Sequence, residues 1–240
     1  MERGDVAVTV KGVVKNFGST RVLDGVSLEA RRGEVVAVVG PNGCGKTTLL
    51  RIIAGLEDPD EGHVEVRGKA LMVFQENLLL PWKRIRENIA LGLVYAKLPR
   101  DTVERRVAEA ARLLDLEEHL DKYPWQVSGG TARKAAIARV LVLDPDVLLL
   151  DEPLAGLDIV TRKALLERVT YVAHGIGKSV IVVDHSIEAV ARYADRIYVL
   201  SYPPTRVEAA IDLSNVSQRE RPKVIYEALM RAASRTYSSS

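Results

Sequence analysis

Residues 35–47 read Val35-Val36-Ala37-Val38-Val39-Gly40-Pro41-Asn42-Gly43-Cys44-Gly45-Lys46-Thr47. The unbroken apolar run at 35–39 predicts a strand covered on both faces, because a half-exposed strand would alternate. From Gly40 to Thr47 the spacing is G-x-x-x-x-G-K-[ST], and a helix is predicted over 46–54. Strand, glycine-rich turn and helix in that order make a phosphate-binding loop. Glycines let backbone N–H groups turn inward around phosphate oxygens, and the helix N-terminus adds a favourable dipole. Lys46 supplies a point charge for β- and γ-phosphates, and Thr47 offers a hydroxyl to Mg²⁺. Gly40, Pro41, Asn42, Gly43, Cys44, Gly45, Lys46, Thr47 and the following Thr48 are therefore candidate nucleotide-binding residues. A thiol near a helix N-terminus can gain reactivity, but Cys44 reads as a small residue that fits the turn, without a catalytic role.

Upstream of the loop, residues 6–10 and 22–30 partly alternate apolar and polar side chains and predict half-buried antiparallel strands. Downstream, 64–74 predicts two short strands. Residues 85–121 change character: helical patterns at 85–96 and 102–114, with no strong strand, read as a helical insert. A further helix is predicted over 130–143. Buried strands return at 147–150 and 179–183, alternating with helices near 161–174 and 187–194. Residues 196–211 predict two strands and 219–234 a terminal helix. The expected fold class is α/β, a P-loop NTPase core with a mostly parallel sheet, an antiparallel β subdomain and a helical insert. A single domain over 1–240 is expected, with its core at 1–84 and 128–205, the helical part at 85–127 and a C-terminal strand and helix at 206–234. The Ser238-Ser239-Ser240 end is expected to fray.

Apolar residues make up 47% and charged residues 28%, the balance of a globular chain with an ordinary core. A net charge of +2 gives nucleic acid no electrostatic footprint, so no nucleic-acid partner is expected. Cys44 is the only cysteine, which excludes an internal disulfide. The opening Met1-Glu2-Arg3-Gly4-Asp5 lacks the apolar stretch of a signal peptide. No run approaches the roughly 20 apolar residues that span a bilayer. Any membrane role is expected to come through a partner.

Asp151-Glu152 directly follows the apolar run 147–150. Ligands in open α/β sheets bind at the carboxyl ends of strands, so both carboxylates are expected to face the nucleotide. Asp151 would hold Mg²⁺ through water, and Glu152 would polarise the attacking water. Taken alone, the pair is an ordinary solvated strand end; beside a phosphate loop it is candidate chemistry. Ser128-Gly129-Gly130 precedes a helix carrying Arg133, Lys134 and Arg139; a Ser N-cap and bare glycines make a second phosphate cradle, while in isolation the stretch reads only as a helix start. His185 follows a buried strand at the same sheet edge as Asp151; a lone histidine there also reads as a satisfied structural group, and its position beside the expected γ-phosphate favours a hydrogen-bond role. His63, His119 and His174 have no such context and read as surface residues.

Over about residues 5–200 the chain resembles the ABC ATPase family. The phosphate loop and Asp-Glu pair occur in many NTPases. The discriminating element is Tyr123-Pro124-Trp125-Gln126-Val127-Ser128-Gly129-Gly130-Thr131, which resembles the family signature L-S-G-G-Q, with Val127 and Thr131 departing from Leu and Gln. The missing Gln amide implies weaker contact with the nucleotide of an opposing chain and altered turnover. The resemblance implies further roles. Gln75 matches the glutamine that senses Mg²⁺ and the permease. Asp158, in Ala155-Gly156-Leu157-Asp158, falls at the seam of a dimer. His185 matches the switch histidine, although Asp184 and Ser186 depart from the usual T-H-D. Phe17 sits where an aromatic stacks on adenine, and 85–127 corresponds to the helical subdomain.

The same resemblance implies ATP with Mg²⁺, and a second copy of the chain in an ATP-dependent dimer. It also implies transmembrane permease subunits, an extracytoplasmic solute-binding protein acting indirectly, and a peripheral place on the cytoplasmic face of the cell membrane. Leu78-Leu79-Leu80-Pro81-Trp82, followed by Glu87-Asn88-Ile89-Ala90-Leu91-Gly92, resembles the nitrate/sulfonate/taurine/bicarbonate import group. The alternative is a soluble ABC-type ATPase acting in assembly or scaffolding without a permease. The single cassette and the L-L-P-W segment favour transport.

Overall fold

Strand β3 (Val35–Val39) is apolar throughout, yet its side chains still divide between two faces. Val36 and Val38 enter one hydrophobic cluster, and Ala37 and Val39 another. The same division holds in β6 (Val147–Asp151) and β7 (Ser179–Val183). Leu148, Leu150, Val180 and Val182 face one side, and Val147, Leu149, Ile181 and Val183 the other. A sheet apolar on both faces has to be covered on both, and here it is. The computed structural model that shows this describes residues 5–237, with side chains as far as residue 232. The opening residues 1–4 and the serine end at 238–240 lie outside the described residues.

The main sheet has the order β5-β6-β7-β3-β8-β9, where β5 is Ala70–Val73, β8 is Arg196–Leu200 and β9 is Val207–Asp212. All its pairings are parallel except β8 with β9. One face carries a three-stranded antiparallel sheet, β2-β1-β4, built from β1 (Val6–Phe17), β2 (Thr20–Arg31) and β4 (Glu61–Val66). With it lies α1 (Lys46–Ile53), whose Leu49, Leu50, Ile52 and Ile53 fill the space between the sheets. The other face packs α2 (Ile85–Tyr95), α3 (Arg100–Leu113), α4 (Gly129–Leu141) and α5 (Ile159–Thr170) into one cluster. Near β8, α6 (Ile187–Tyr193) and α7 (Arg221–Tyr237) enclose a third cluster around Ile197, Val199 and Ile225.

The expected mixed α/β architecture is present, and its differences from expectation have local causes. Strand β1 continues to Phe17 rather than stopping near residue 10. Register shifts between Val10 and Val13 and between Val13 and Lys15 break the alternation that hydropathy can follow. Strand β4 begins at Glu61 instead of near residue 64, because its exposed polar start is held by pairing to β1 and not by burial. Helix α5 begins at Ile159, two residues early, since Asp158 accepts from the N–H groups of Val160 and Thr161. Its last turn widens into a π-helix over Tyr171–Gly175.

Candidate nucleotide site

The loop between β3 and α1 is shaped by contacts that leave no room for side chains. A Cβ on Gly40 would meet the Leu200 Cβ at 3.0 Å and the Cys44 Sγ at 3.1 Å. Gly45 has φ +90°, and a Cβ there would lie 2.7 Å from Val22 Cγ1. Lys46 is buried at the base of α1, and its Nζ donates to the carbonyls of Gly40 at 3.0 Å and Pro41 at 2.8 Å. Cys44 is fully buried, and burial pushes its thiol up, away from the thiolate that reactivity needs. It packs, as a residue chosen to fit the turn would.

A cavity of about 620 Å³ opens over this loop. Asn42, Gly43, Gly45, Lys46, Thr47 and Thr48 line one wall; Phe17 and Val22 another; Gln75, Glu152 and His185 the third. Phe17 is half exposed, and the Lys15 ammonium sits 5.5 Å from its ring centroid.

Sheet register explains why the third wall exists. Asp151 at the end of β6 pairs with Val183 at the end of β7, and the Glu152 N–H donates to the Val183 carbonyl at 2.9 Å. The residues that follow each strand therefore emerge side by side. Glu152 turns through a left-handed backbone, φ +42°, a conformation that costs a non-glycine residue energy and clusters at functional sites. Its Oε2 accepts from Gln75 Nε2 at 3.1 Å, and His185 Nδ1 lies 3.9 Å from the same oxygen. Asp151 is buried and accepts from the Thr47 hydroxyl at 3.1 Å. Burial raises its carboxyl above the ordinary range, while the Thr47 hydroxyl acts the other way.

Asp184, beside His185, is also buried. Its Oδ1 accepts from the Ser186 N–H at 2.8 Å, but its Oδ2 has no hydrogen-bond partner among the described residues. Burial raises this carboxyl too, against the opposing pull of backbone N–H groups.

Arg133, on the helix that follows Ser128-Gly129-Gly130, was given no role by the sequence, and the structure gives it one. Its guanidinium is buried beneath the sheet edge and donates to the carbonyls of Asp151 at 2.7 Å, Pro153 at 3.2 Å, Phe74 at 2.5 Å and Gln75 at 3.0 Å. Desolvation lowers its pKa, and the charges of Asp151 and Asp184 oppose that shift. Lys134 pairs with Asp115, and Arg139 donates to the carbonyls of Asn77 and Leu78. The cations of α4 therefore tie the chain to itself. The signal that could have found Arg133 is its place one turn into a helix whose neighbours Ala132, Ala135 and Ala136 mark a tightly packed face.

Ser128, Gly129, Gly130 and Asp158 do not line the cavity of their own chain. Ser128 caps α4, its Oγ accepting from the Thr131 N–H at 3.1 Å and lying 3.0 Å from the Thr131 hydroxyl. Gly130 lies against the start of α5, where an added Cβ would come within 2.6 Å of Thr161 Cγ2. Asp158 also accepts from the Thr161 hydroxyl at 2.6 Å. Of the histidines read as surface residues, His174 has a partner that sequence did not reveal: its Nε2 lies 2.8 Å from Asp195 Oδ2, which also accepts from the Val35 N–H.

Comparison with known proteins identifies the family. The family profile described as ABC transporter matches residues 23–155. An aliphatic sulfonates import ATP-binding protein of Nocardia farcinica is 41% identical over 227 residues, covering 94% of this chain and 90% of that protein. A spermidine/putrescine import ATP-binding protein of Nitratidesulfovibrio vulgaris is 39% identical over 212 residues, covering 84% of this chain and 58% of that protein. The dimeric structure of a bacterial ABC transporter cassette superposes with TM-score 0.79 at 30% identity, covering 87% of this chain and 99% of that one. Sequence and fold thus converge on one assignment: this chain belongs to the ABC transporter family of ATPases.

Proposed function

We propose that this ABC importer ATP-binding subunit hydrolyses ATP to drive uptake of a small solute through a separate membrane permease. The observation that carries the reading is the convergence of Gln75 and His185 on one oxygen of Glu152, across a cavity from Lys46 and Thr47. Lys46 holds β- and γ-phosphates, and Phe17 offers a face to the base. Glu152 accepts the proton of the attacking water, and His185 hydrogen-bonds the γ-phosphate.

The donor set fits Mg²⁺. The Thr47 hydroxyl and Asp151 carboxylate are hard oxygens 3.1 Å apart, and no cluster of acids, His or Cys among the described residues forms a cage of its own. Mg²⁺ characteristically takes one or two protein oxygens and completes its shell with water and phosphates. When bound, it neutralises phosphate charge.

The sandwich of two copies is the reading that gives Ser128, Gly129, Gly130 and Asp158 a ligand, since none of them lines its own cavity. Among the described residues no helix is long and apolar enough to cross a membrane. The attachment proposed is peripheral, at the cytoplasmic face, through the permease. The contact proposed for it is the loop from Gln75 to Trp82. Asn88 grips the backbone of Leu80 from both sides, leaving Leu78 and Trp82 outward and exposed. The name of the Nocardia relative and the Leu-Leu-Pro-Trp segment support a sulfonate-, taurine-, nitrate- or bicarbonate-like solute, delivered by an extracytoplasmic binding protein. The division into a core and a helical part at 85–127 is the frame for this coupling.

Isothermal titration with Mg²⁺-ATP tests the reading. The native chain is expected to bind, and Lys46→Ala to lose most of its affinity. Equal affinity in the two proteins overturns the assignment. Uptake of taurine or an alkylsulfonate into vesicles carrying the chain with its permease tests the solute class.

A further inference from the structure

The cavity has a base-side wall, Phe17 and Val22 on β1 and β2, and a phosphate-side wall, the loop from Gly40 to Thr47. These walls are neighbours in space but come from separate elements, and a ligand that touches both needs the distance between them fixed. Thr205 lies where they meet from behind. It is fully buried in the connection between β8 and β9. Its hydroxyl donates to the Cys44 carbonyl inside the phosphate loop at 2.7 Å. Its own N–H donates to the Val22 carbonyl at 2.9 Å, and its carbonyl accepts from the Asp24 N–H at 2.9 Å. An isolated parallel bridge joins it to Leu23.

One residue therefore bonds the strand that carries Val22 with its backbone and the phosphate loop with its side chain. Neither bond is open to water, so replacement by solvent is not available when one is lost. Packing repeats the arrangement without hydrogen bonds. Gly45 presses on Val22 and Leu23 with no space for a Cβ, and Gly40 presses on Leu200 at the start of the same connection. None of this involves the sheet edge where Gln75, Glu152 and His185 meet.

We infer that Thr205 is a positioning residue for nucleotide binding, fixing the phosphate loop at a set distance from the base-side strand. The inference rests on the nucleotide reading above. It makes a distinction that a general stabilising role does not. A ligand with both a base and phosphates must span the two walls at once, whereas inorganic tripolyphosphate touches only the loop and follows it if it shifts.

The test compares native protein with Thr205→Val, Thr205→Ala and Thr205→Ser, measuring ATP and tripolyphosphate affinity by titration alongside thermal midpoints. Val and Ala both remove the hydroxyl but change the packing in opposite directions; Ser keeps the hydroxyl. The expected result is an ATP affinity about tenfold weaker in whichever of Val and Ala folds. Tripolyphosphate affinity should stay within about twofold of native, and Ser should restore ATP binding. Unchanged ATP affinity with a lowered midpoint overturns the inference, since the hydroxyl then serves the fold alone. Equal loss for both ligands also overturns it, because Thr205 then shapes the loop rather than placing it. If Ser folds while Val and Ala do not, the hydroxyl is a folding requirement and the inference falls. A native protein that binds no ATP removes the nucleotide reading itself, which separates the two failures.

Discussion

Gln75 and Glu152, 77 positions apart in the chain, are joined by one hydrogen bond, from the amide Nε2 to the carboxylate Oε2 at 3.1 Å. That bond holds the carboxylate at the cavity wall, with His185 Nδ1 3.9 Å from the same oxygen. The arrangement predicts what an isosteric change does. Glu152→Gln removes the proton acceptor but keeps the volume, so nucleotide binding is expected to persist while hydrolysis slows by roughly 10²–10⁴-fold. Phosphate release under single-turnover conditions, with affinity measured in parallel, checks this. Near-native turnover would move the water-activating role to another group.

Asp184 gives a prediction about stability and pH. Burial raises its pKa in the folded chain, so between the unfolded and folded values the native state holds the extra proton. Stability from this group is therefore greatest at low pH. It falls as pH rises through that window, and the cost is present in full above it. Asp184→Asn keeps an acceptor for the Ser186 N–H and removes the charge. It is expected to stabilise the protein at pH 7 by on the order of 1 kcal/mol, the scale of a buried polar group lacking a partner. The gain should vanish as pH approaches about 4, near the ordinary carboxylate value. Urea midpoints at pH 7 and at pH 4 measure it, and a pH-independent difference would show that the charge is not the cause.

Arg133 should be among the costliest side chains to remove. Arg133→Met fits the same space but strips donors from the carbonyls of Asp151 and Pro153, in buried bonds, and of Phe74 and Gln75, in partly buried ones. A loss of about 3 kcal/mol is expected, since each abandoned buried acceptor carries a desolvation cost. Denaturant titration reads the stability. Mg²⁺-ATP affinity at low temperature, where the variant stays folded, should fall less than stability does.

Trp82 predicts a separation of functions. It is 69% exposed in a loop otherwise pinned by Asn88 and Arg139. Trp82→Ala is expected to weaken co-purification with the permease by at least tenfold and to leave the basal ATPase of the isolated subunit within about twofold. Association indifferent to the change would place the membrane contact elsewhere.

Much of this site could be read before the fold was seen, for reasons tied to particular residues. Gly40 to Thr47 could be read because its chemistry requires residues adjacent in sequence. Asp151 and Glu152 could be read because an apolar strand announces its own end. What could not be read depends on elements distant in sequence. Thr205 meets Cys44 across 161 positions, and Arg133 reaches Phe74 across 59. Thr205 carries no local pattern that distinguishes it from a surface threonine, and Arg133 is marked only by the alanines at 132, 135 and 136. Strand β1 shows a different loss, where irregular register after Val10 erased the periodicity without ending the strand. The π-helical turn after Thr170 likewise leaves no mark that hydropathy can detect.

The contact between Gly130 and Thr161 also constrains how sequences of this kind can change over generations. A methyl group at 130 would sit 2.6 Å from Thr161 Cγ2, so Gly130→Ala in this background is a clash. Thr161→Ser removes that methyl while retaining the hydroxyl that donates to Asp158. After it, alanine at 130 makes only ordinary van der Waals contacts, with the hydroxyl at 161 (3.6 Å) and Leu157 Cδ2 (3.7 Å). The two substitutions thus have an allowed order and a forbidden one. A lineage can acquire a side chain at the glycine only after the threonine has given up its branch, so the start of α4 inherits its options from the start of α5.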